Sequence, residues 1–218
     1  MIAAMPPGFP LWKRVFDLCL TIPGLILISP VLLAVSISIL LIEGKPILFR
    51  QERPGYKGQI FTIYKFRTMR ISCGRDGKPL PDGARISPLG GFLRKTSLDE
   101  LPEFFNVFKG DMSLVGPRPL LIAYLSRYSA EQARRHDTPP GITGWAQING
   151  RNALNWEDRF RHDVWYVEHR SLALDIKILL ASIWKTIRME GISQPGHATV
   201  EEFMGSKPSQ KTRNDNQV

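Results

Sequence analysis

The longest apolar stretch in the chain lies near its beginning. Between Leu18 and Ile42 the sequence "LCLTIPGLILISPVLLAVSISILLI" contains no charged residue. As one helix it would extend about 37 Å, enough to cross a hydrocarbon core of roughly 30 Å. It is too long for the apolar core of a signal peptide, and no small-residue cleavage site follows it. The pattern therefore predicts a segment that stays in the membrane.

Proline interrupts this apolar stretch. Ser29 and Pro30 lie near its middle, and Pro23 precedes them. Because proline removes a backbone donor and clashes with the preceding turn, we expect a kink there, with the Ser29 hydroxyl as a local partner for a freed carbonyl. Basic residues flank both ends of the stretch, which agrees with both ends facing the cytoplasm and equally with a plain span. The residues alone leave these two topologies open.

Three further stretches have recognisable spacing. Residues 47–69 hold two extended, β-branched and aromatic runs around a Pro-Gly pair, which predicts a hairpin. Residues 72–91 are crowded with glycine and proline and are interpreted as a mobile surface loop. Helical spacing then returns in two apolar stripes, consisting of Leu98, Leu101, Phe105 and Phe108, and of Ile176, Leu179, Ile183 and Ile187.

The second apolar stripe is accompanied by a basic face. Lys177, Lys185 and Arg188, together with Trp184, are typical of a helix in the interfacial plane of an anionic membrane. A core-packing helix with a solvated basic face has the same pattern. Residues 205–218 are polar and are predicted to be disordered. Together these elements predict an α+β fold that is mainly α, with one small hairpin.

The charge balance favours an anionic partner. The chain has 29 Lys and Arg against 20 Asp and Glu, a formal net charge of +9. Nucleic acid, a lipid surface and a phosphorylated small molecule all fit this charge. No helix-turn-helix, RNA-binding or zinc-finger signature supports nucleic acid, which we do not expect as a partner. Cys19 and Cys73 offer neither a disulfide framework nor a metal spacing and indicate a reducing compartment.

Two adjacent carboxylates stand out against this positive background. Ser97 and Glu100 have the spacing of a capping box, which would explain both as helix-start residues and leave Asp99 unexplained. We expect Asp99 to lie at a helix N-terminus, where the helix dipole keeps a carboxylate ionised and where a phosphate can also bind. Asp99 is therefore a candidate nucleophile. Capping and surface ion pairs remain the alternative explanation.

Positive residues near the acidic pair would be needed for a diphosphate to approach it. Four cations lie close in sequence, namely Arg94, Lys95, Lys109 and Arg118. The backbone of Arg118 is stiffened by flanking prolines, which suits bidentate contact with phosphate. A divalent cation would solve the same problem, since Mg²⁺ commonly uses one or two carboxylates together with substrate phosphates.

Several motifs together resemble one family. They are "KRVFD", the Ser29-Pro30 pair, "QERPG", "IYKFRTM", "SLDELPEFFNVFKGDMSLVGPRP" and "PGITGWAQINGRN". With these motifs the chain resembles the small monotopic phosphoglycosyl transferases of bacteria, the bacterial sugar transferase family that begins glycoconjugate assembly on undecaprenyl phosphate. The similarity runs from about residue 13 to residue 203. The stretches "RHDVWYVEHRSLALDIKIL" and "GISQPGHATVEEF" look most similar to the bacillosamine-type transferases of protein glycosylation.

The resemblance implies a two-step reaction. Asp99 would attack the β-phosphate of a UDP-sugar, possible donors including UDP-di-N-acetylbacillosamine, and release UMP. Polyprenyl phosphate would then take the phosphosugar from Asp99, because covalent catalysis lets one site serve two substrates in turn. By the same resemblance Asp99 is also a Mg²⁺ ligand and Glu100 is its partner, as a base or in shaping the site. Arg118 and Lys65 match positions near phosphates, although Lys65 is alternatively an exposed strand residue.

The resemblance also implies a topology and a location. Ser29 and Pro30 would break the apolar helix and return it through the same leaflet, with Lys13 and Arg14 at headgroup level. The protein would sit on the cytoplasmic face of the bacterial inner membrane. The implied segments are a leader at 1–12, a re-entrant helix at 13–44, a catalytic domain at 45–204 and a tail at 205–218. Further candidate substrate contacts are Arg94, Gln147 and Arg151.

A second functional class fits the same sequence. A membrane-anchored adaptor without chemistry would use its basic face to hold acidic lipid or other proteins of a glycan-assembly complex. The "PGITGWAQINGRN" segment, which contains Gln147 and Arg151, is alternatively a tight structural loop. The sequence identifies neither the sugar nor the oligomeric state.

Overall fold

A single long helix dominates the N-terminal part of the computed structural model, which describes residues 9–70, 80–150, 154–188 and 202–205. Helix α1 spans Leu11–Ile42. It is long enough and apolar enough to cross a membrane. Its middle is solvent-exposed in the isolated chain, with Ile26 at 71% and Leu27 at 79% exposure. A helix with such an apolar surface requires lipid around it.

The backbone stays helical from Leu11 to Ile42, so the helix does not end at Ser29 and Pro30. Pro30 cannot donate to the carbonyl of Ile26, four residues earlier. The Ser29 hydroxyl donates to that carbonyl instead, at 2.8 Å. This confirms the predicted partner for the freed carbonyl and explains how the helix continues. The return of the chain to the same leaflet stays a prediction.

The N-terminal end of α1 is held inside the protein by charged groups. The Lys13 ammonium, fully buried, lies 2.5 Å from the Asp175 carboxylate and donates to the Tyr166 hydroxyl at 3.1 Å. Arg14 donates to the carbonyls of Val107 and Phe108 at 2.6 and 2.8 Å. Both side chains are therefore buried within the protein and satisfied by protein partners. Their position at headgroup level stays a prediction.

The other end of α1 packs on the same domain. Val35 and Ile39 are buried in a cluster with Phe66 and Leu93. Thus polar contacts near Lys13 and apolar contacts near Ile39 attach both ends of α1 to one globular body.

The predicted hairpin is confirmed. Strands β1 (Leu48–Pro54) and β2 (Ile60–Phe66) pair antiparallel, with Leu48 opposite Phe66. Buried Asn106 joins this hairpin to the following helix, because its amide accepts from the backbone N–H of Tyr64 and donates to the carbonyl of Thr62. The hairpin thereby presents Lys65 towards the segment that carries the acidic pair.

The glycine-rich stretch at 72–91 was predicted to be a loop, and this is wrong for its last part. Helices α2 (Asp82–Arg85) and α3 (Pro88–Thr96) lie in or overlap it. Ser87 caps α3 by accepting from the N–H of Gly90, and Pro88 stands in the first turn, where a missing donor costs nothing. Residues 71–79, residues 1–8 of the predicted leader and residues 206–218 of the predicted tail lie outside the described residues.

The remaining elements close the domain. Helix α4 (Glu103–Lys109) leads into strand β3 (Ser113–Val115), which pairs parallel with β4 (Gly141–Thr143). The α+β, mainly α prediction is confirmed. The main core lies between β3, the hairpin and the last helices, and includes Ile63, Val115 and Ile178. The other helices are α5 (Ala130–Ala133), α6 (Trp145–Ile148), α7 (Trp156–His169) and α8 (Leu172–Ile187).

Candidate active site

The acidic pair lies in a short connection between α3 and α4. Ser97 ends α3 in the left-handed conformation, with φ of 57°, and makes no side-chain cap. Leu98–Glu100 then form one 3-10 turn, and α4 begins three residues after Glu100. The capping-box interpretation of Ser97 and Glu100 is therefore wrong. The chain reverses its direction at Ser97 and Leu98–Glu100, and this reversal turns Glu100 towards β2.

Glu100 is held by two cations from distant parts of the chain. Lys65 of β2 donates to its Oε1 at 2.8 Å, and the Arg118 guanidinium bonds both carboxylate oxygens. Burial acts to raise the pKa of Glu100, but the attraction of Arg118 and Lys65 outweighs it and holds this pKa well below the usual range. Glu100 therefore stays ionised and is a poor proton acceptor. Lys65 is not the exposed strand residue of the alternative prediction.

A third carboxylate completes this cluster and was not predicted. Glu103, whose side chain is 1% exposed, places Oε1 3.0 Å from the Lys65 ammonium. Burial, with the nearby charge of Glu100, raises the pKa of Glu103 to about 7. Lys65 thus bridges two carboxylates, one of them strongly ionised and one that titrates near neutrality. Only tertiary contacts reveal this role, because Glu103 looks like an ordinary first-turn helix residue.

Asp99 differs from its neighbour Glu100 in its hydrogen-bond and ion-pair contacts. It forms no hydrogen bond or ion pair with the residues that the structure describes, while Glu100 takes the contacts of Lys65 and Arg118. Burial and the adjacent Glu100 raise the pKa of Asp99 to about 6. The expectation that a helix dipole would keep Asp99 ionised is thus wrong in its cause. Desolvation dominates and opposes ionisation, but a pKa of about 6 still leaves Asp99 mostly ionised near pH 7 and weakly solvated, as a nucleophile requires.

A cavity of about 500 Å³ begins at this cluster. Glu100, Arg118 and Arg94 line one end, and Arg94 is oriented by a 2.9 Å bond from its Nε to the Thr68 hydroxyl. Gln147 of α6 lies on the wall, with its amide donating to the carbonyl of Ile142 at 3.4 Å. The structure therefore brings four predicted residues together, namely Glu100, Arg118, Arg94 and Gln147. Arg151 lies outside the described residues.

The far end of the cavity reaches α8. Leu179, Ser182, Ile183 and Lys185 line it there. Ile183 also belongs to an exposed apolar stripe along α8, whose other members are Leu172, Ile176, Leu180 and Trp184. Helix α8 has features of both predictions, because Ile178 is buried in the main core and Lys177 and Arg188 are exposed, while the exposed stripe is apolar. The cavity thus joins a charged cluster to an apolar surface.

Comparison with known proteins defines the family. Residues 9–189 match the family described as bacterial sugar transferase. The chain belongs to the bacterial sugar transferase family. This confirms the resemblance drawn from the motifs, whereas the similarity to bacillosamine-type members stays a prediction.

Several relatives of this transferase carry names. "Uncharacterized sugar transferase EpsL" of Bacillus subtilis is 52% identical over 194 residues, covering 89% of this chain and 96% of the relative. The UDP-glucose:undecaprenyl-phosphate glucose-1-phosphate transferase of Escherichia coli is 39% identical, covering 80% of this chain and 40% of that protein. The undecaprenyl-phosphate galactose phosphotransferase of Salmonella typhimurium is 38% identical, covering 82% and 41%. The chain spans about two fifths of the latter two relatives.

The carboxylate oxygens of the site can be compared with the ligands that the predicted Mg²⁺ would need. No group of three or more acidic, histidine or cysteine side chains suited to a metal occurs among the described residues. Asp99 nevertheless fits a site of the kind that uses one carboxylate together with substrate phosphate oxygens. Its oxygens are not engaged by Lys65 or Arg118, whereas those of Glu100 are. The residues present are therefore compatible with Mg²⁺ bound only with its substrate.

The environment of Asp99 predicts a pH dependence for the attack in which Asp99 is the predicted nucleophile. With a pKa raised to about 6, the reactive carboxylate is lost as the pH falls, and the rate should drop about tenfold per pH unit below 6. Release of UMP in a single turnover without acceptor measures this step alone. Because neighbouring carboxylates titrate together, Glu103→Gln is the control and should keep the acidic limb. A rate that stays constant down to about pH 4.5 would contradict the assignment.

Proposed function

We propose that the transferase moves a sugar phosphate from a UDP-sugar to undecaprenyl phosphate and releases UMP. The observation that carries this proposal is the difference in partners between the two adjacent carboxylates, Asp99 and Glu100. Lys65 and Arg118 bind Glu100, whereas the adjacent Asp99 is desolvated and has no hydrogen-bond or ion-pair partner among the residues that the structure describes. The names of the Escherichia coli and Salmonella typhimurium relatives support the two substrate classes.

In the proposed first step, an Asp99 oxygen attacks the β-phosphorus of the donor. A phosphorus–oxygen bond to Asp99 forms, the bond from the β-phosphorus to the bridging oxygen breaks, and UMP leaves with that electron pair. In the second step an oxygen of the polyprenyl phosphate attacks the same phosphorus, and Asp99 departs as a carboxylate. Neither step transfers a proton, which agrees with a Glu100 too acidic to serve as a base.

The roles of the other residues follow from their charges. Arg118 and Lys65 neutralise Glu100, so that the acidic pair does not repel a diphosphate, and Arg94 adds positive charge to the cavity lining. Glu100 is proposed to fix the positions of Arg118 and Lys65. Mg²⁺, held by Asp99 and the donor phosphates, would supply further charge neutralisation when bound.

The cavity suits the proposed lipid acceptor. Its charged end holds Arg118, and its apolar walls lead to Leu179 and Ile183 beside the exposed stripe of α8. A polyprenyl phosphate has the same polarity, with an anionic head and an apolar chain. The phosphate would reach Asp99 while the chain remains in contact with lipid.

We further propose the monotopic topology on the cytoplasmic face of the bacterial inner membrane. It is supported by the packing of both ends of α1 on one domain, through Lys13 and through Ile39. Single cysteines introduced at Leu11 and Ile42, in a variant lacking Cys19 and Cys73, should both react with an impermeant reagent from the same side. Labelling from opposite sides would establish a plain span.

One assay tests the reaction itself. Purified protein with Mg²⁺ and undecaprenyl phosphate should release UMP from one member of a UDP-sugar panel, with formation of a lipid-linked phosphosugar. The panel includes the UDP-sugars of glucose, galactose, N-acetylgalactosamine and di-N-acetylbacillosamine, and so also tests the predicted subfamily. An adaptor without chemistry would release no UMP from any of them.

A further inference from the structure

The cavity lining also contains polar side chains outside the charged cluster. Thr143, Gln147 and Ser182 line it from β4, α6 and α8 respectively, and we call these three residues the neutral polar group. Hydroxyl and amide groups offer hydrogen bonds but carry no net charge. The charged residues of the cavity suit the phosphates of the substrates, whereas the neutral polar group suits an uncharged part.

The strand pair β3–β4 places the neutral polar group beside Arg118. The two strands are parallel, with Val115 opposite Thr143, so their carboxyl ends lie at the same edge of the sheet. Strand β3 continues through Gly116 to Arg118, and β4 continues to Gln147. The N–H of Gly116 donates to the carbonyl of Thr143 at 2.8 Å, which fixes the two segments to each other. A substrate whose phosphate contacts Arg118 would therefore bring its next group to the neutral polar group.

Thr143 and Ser182 form a pair of hydroxyl groups at the cavity wall. Their oxygens lie 2.5 Å apart, and either oxygen can be the donor. This bond uses one of the two hydroxyl protons, so the other proton and several lone pairs are left over. Among the described residues, no further side-chain hydrogen bond reaches either hydroxyl. The pair can therefore donate to a ligand and also accept from it.

Gln147 adds an amide that the protein holds only weakly. Its nitrogen donates to the carbonyl of Ile142 over a long distance of 3.4 Å. Its Oε1 is buried, and the described residues give it no hydrogen-bond partner. Buried polar atoms are nearly always hydrogen-bonded in proteins. The amide would therefore gain hydrogen bonds by turning into the cavity when a ligand with a suitable donor is present.

The chemistry of the neutral polar group favours the UDP-sugar over the lipid. An acceptor such as the Gln147 oxygen needs a donor on the ligand, and neither an ionised phosphate nor a prenyl chain has one. Sugar hydroxyl groups both donate and accept, as the Thr143–Ser182 pair does. Uracil has one N–H, but bases commonly stack on aromatic rings, and Phe104 is the only aromatic side chain among the described residues of the lining. The sugar of the donor is therefore the better match.

We propose that Thr143, Gln147 and Ser182 bind the sugar of the UDP-sugar donor and contribute to the choice of the sugar that is transferred. This inference rests on the proposed function. The hydroxyl pair would bond one group of the sugar, and the Gln147 amide, turned into the cavity, would bond a second. A site built for a hydrogen bond discriminates against a ligand that lacks it, so the neutral polar group would act mainly on donor selection.

The main test combines Gln147→Met with analogues of the donor. It uses the UDP-sugar that the wild type accepts, and analogues in which one hydroxyl or acetamido group of the sugar is replaced by hydrogen. Loss of one uncharged hydrogen bond should lower kcat/KM of the wild type about 2- to 10-fold for at least one analogue. The same analogue should have little further effect in Gln147→Met, because the bond is already absent. Equal effects of every analogue on the wild type and the variant would overturn the role of Gln147.

The hydroxyl pair is tested in the same way with Ser182→Ala and Thr143→Val, each of which removes one oxygen with little change in shape. Each should lower kcat/KM for the natural donor about 2- to 10-fold and weaken the discrimination against one analogue. Thr143→Ser keeps the hydroxyl and should resemble the wild type. The control is Ser126→Ala, because Ser126 is exposed and bonds the carbonyl of Ala123 in its own turn. A lower melting temperature with unchanged discrimination in both variants would show a structural pair and would overturn its role.

Two further measurements separate the sugar from the other parts of the substrates. Inhibition by UDP, which has no sugar, should be equal in the wild type and in Gln147→Met, and weaker inhibition of the variant would assign the site to uridine. The KM for undecaprenyl phosphate should also be unchanged, and an increase would assign the site to the acceptor. Either result would overturn the proposal. UMP release by the wild type, lost in Asp99→Asn, separates failure of this inference from failure of the proposed function.

Discussion

The Asp99→Asn variant is expected to lose UMP release by at least about 10³-fold, because an amide cannot replace a carboxylate as nucleophile. The substitution keeps the shape of the side chain. It breaks no ion pair among the described residues, since Lys65 and Arg118 bind Glu100 rather than Asp99. The loss should therefore come from chemistry. A variant with full turnover would remove Asp99 as the nucleophile.

The same variant should fold at least as well as the wild type. Folding raises the pKa of Asp99 to about 6, so the folded state favours the neutral side chain and pays for the ionised one at pH 7. A neutral asparagine removes this cost. We expect an unchanged or higher melting temperature together with the lost activity, which is typical of a functional residue that lowers the stability of the protein. Asp137→Asn, which changes an exposed partner of Lys57, is the matched control and should retain activity.

Covalent attachment gives the decisive readout for Asp99. Wild-type protein incubated with donor in the absence of polyprenyl phosphate should gain the mass of one phosphosugar at this residue. Adding the acceptor should remove it. Lipid product that accumulates without any labelled protein would contradict the two-step mechanism, and would leave the proposed overall reaction standing.

The Lys13→Met variant is expected to lose about 3–5 kcal/mol of stability, because it leaves the buried Asp175 carboxylate without its cation. Both side chains are fully buried, and Tyr166 links them through hydrogen bonds to each. Met has a similar length and is apolar, so the effect comes from the unpaired charge rather than from a cavity. Urea unfolding in detergent measures the loss.

The double variant Lys13→Met, Asp175→Leu is the control for this effect. Removing both charges avoids an uncompensated carboxylate, and most of the stability should return. Equal stability of the single variant and the wild type would show that the pair does not attach α1 to the domain. A single variant that loses stability while the double variant recovers it would show that the loss comes from the unpaired Asp175 carboxylate.

The agreement between sequence and structure is best where the signal is local. Residues 47–69 hold two β-branched and aromatic runs around a Pro-Gly pair, which predicted a hairpin, and β1 and β2 form there. Asp99 and Glu100 are adjacent, so any fold keeps them close. The local signal misleads at Ser97 and Glu100, because the same spacing fits both a capping box and a 3-10 turn after a left-handed residue.

The sequence by itself determined the apolar helix, the hairpin, the family and the acidic pair, because each depends on neighbouring residues or on a motif. The tertiary structure decided which carboxylate of the pair is bound by cations. Lys65 and Arg118 come from positions far apart in the chain, and folding directs both to Glu100 rather than to Asp99. It also buried Lys13 and brought Ser182 to Thr143 on the cavity wall, since desolvation and long-range pairing arise only when distant segments pack together.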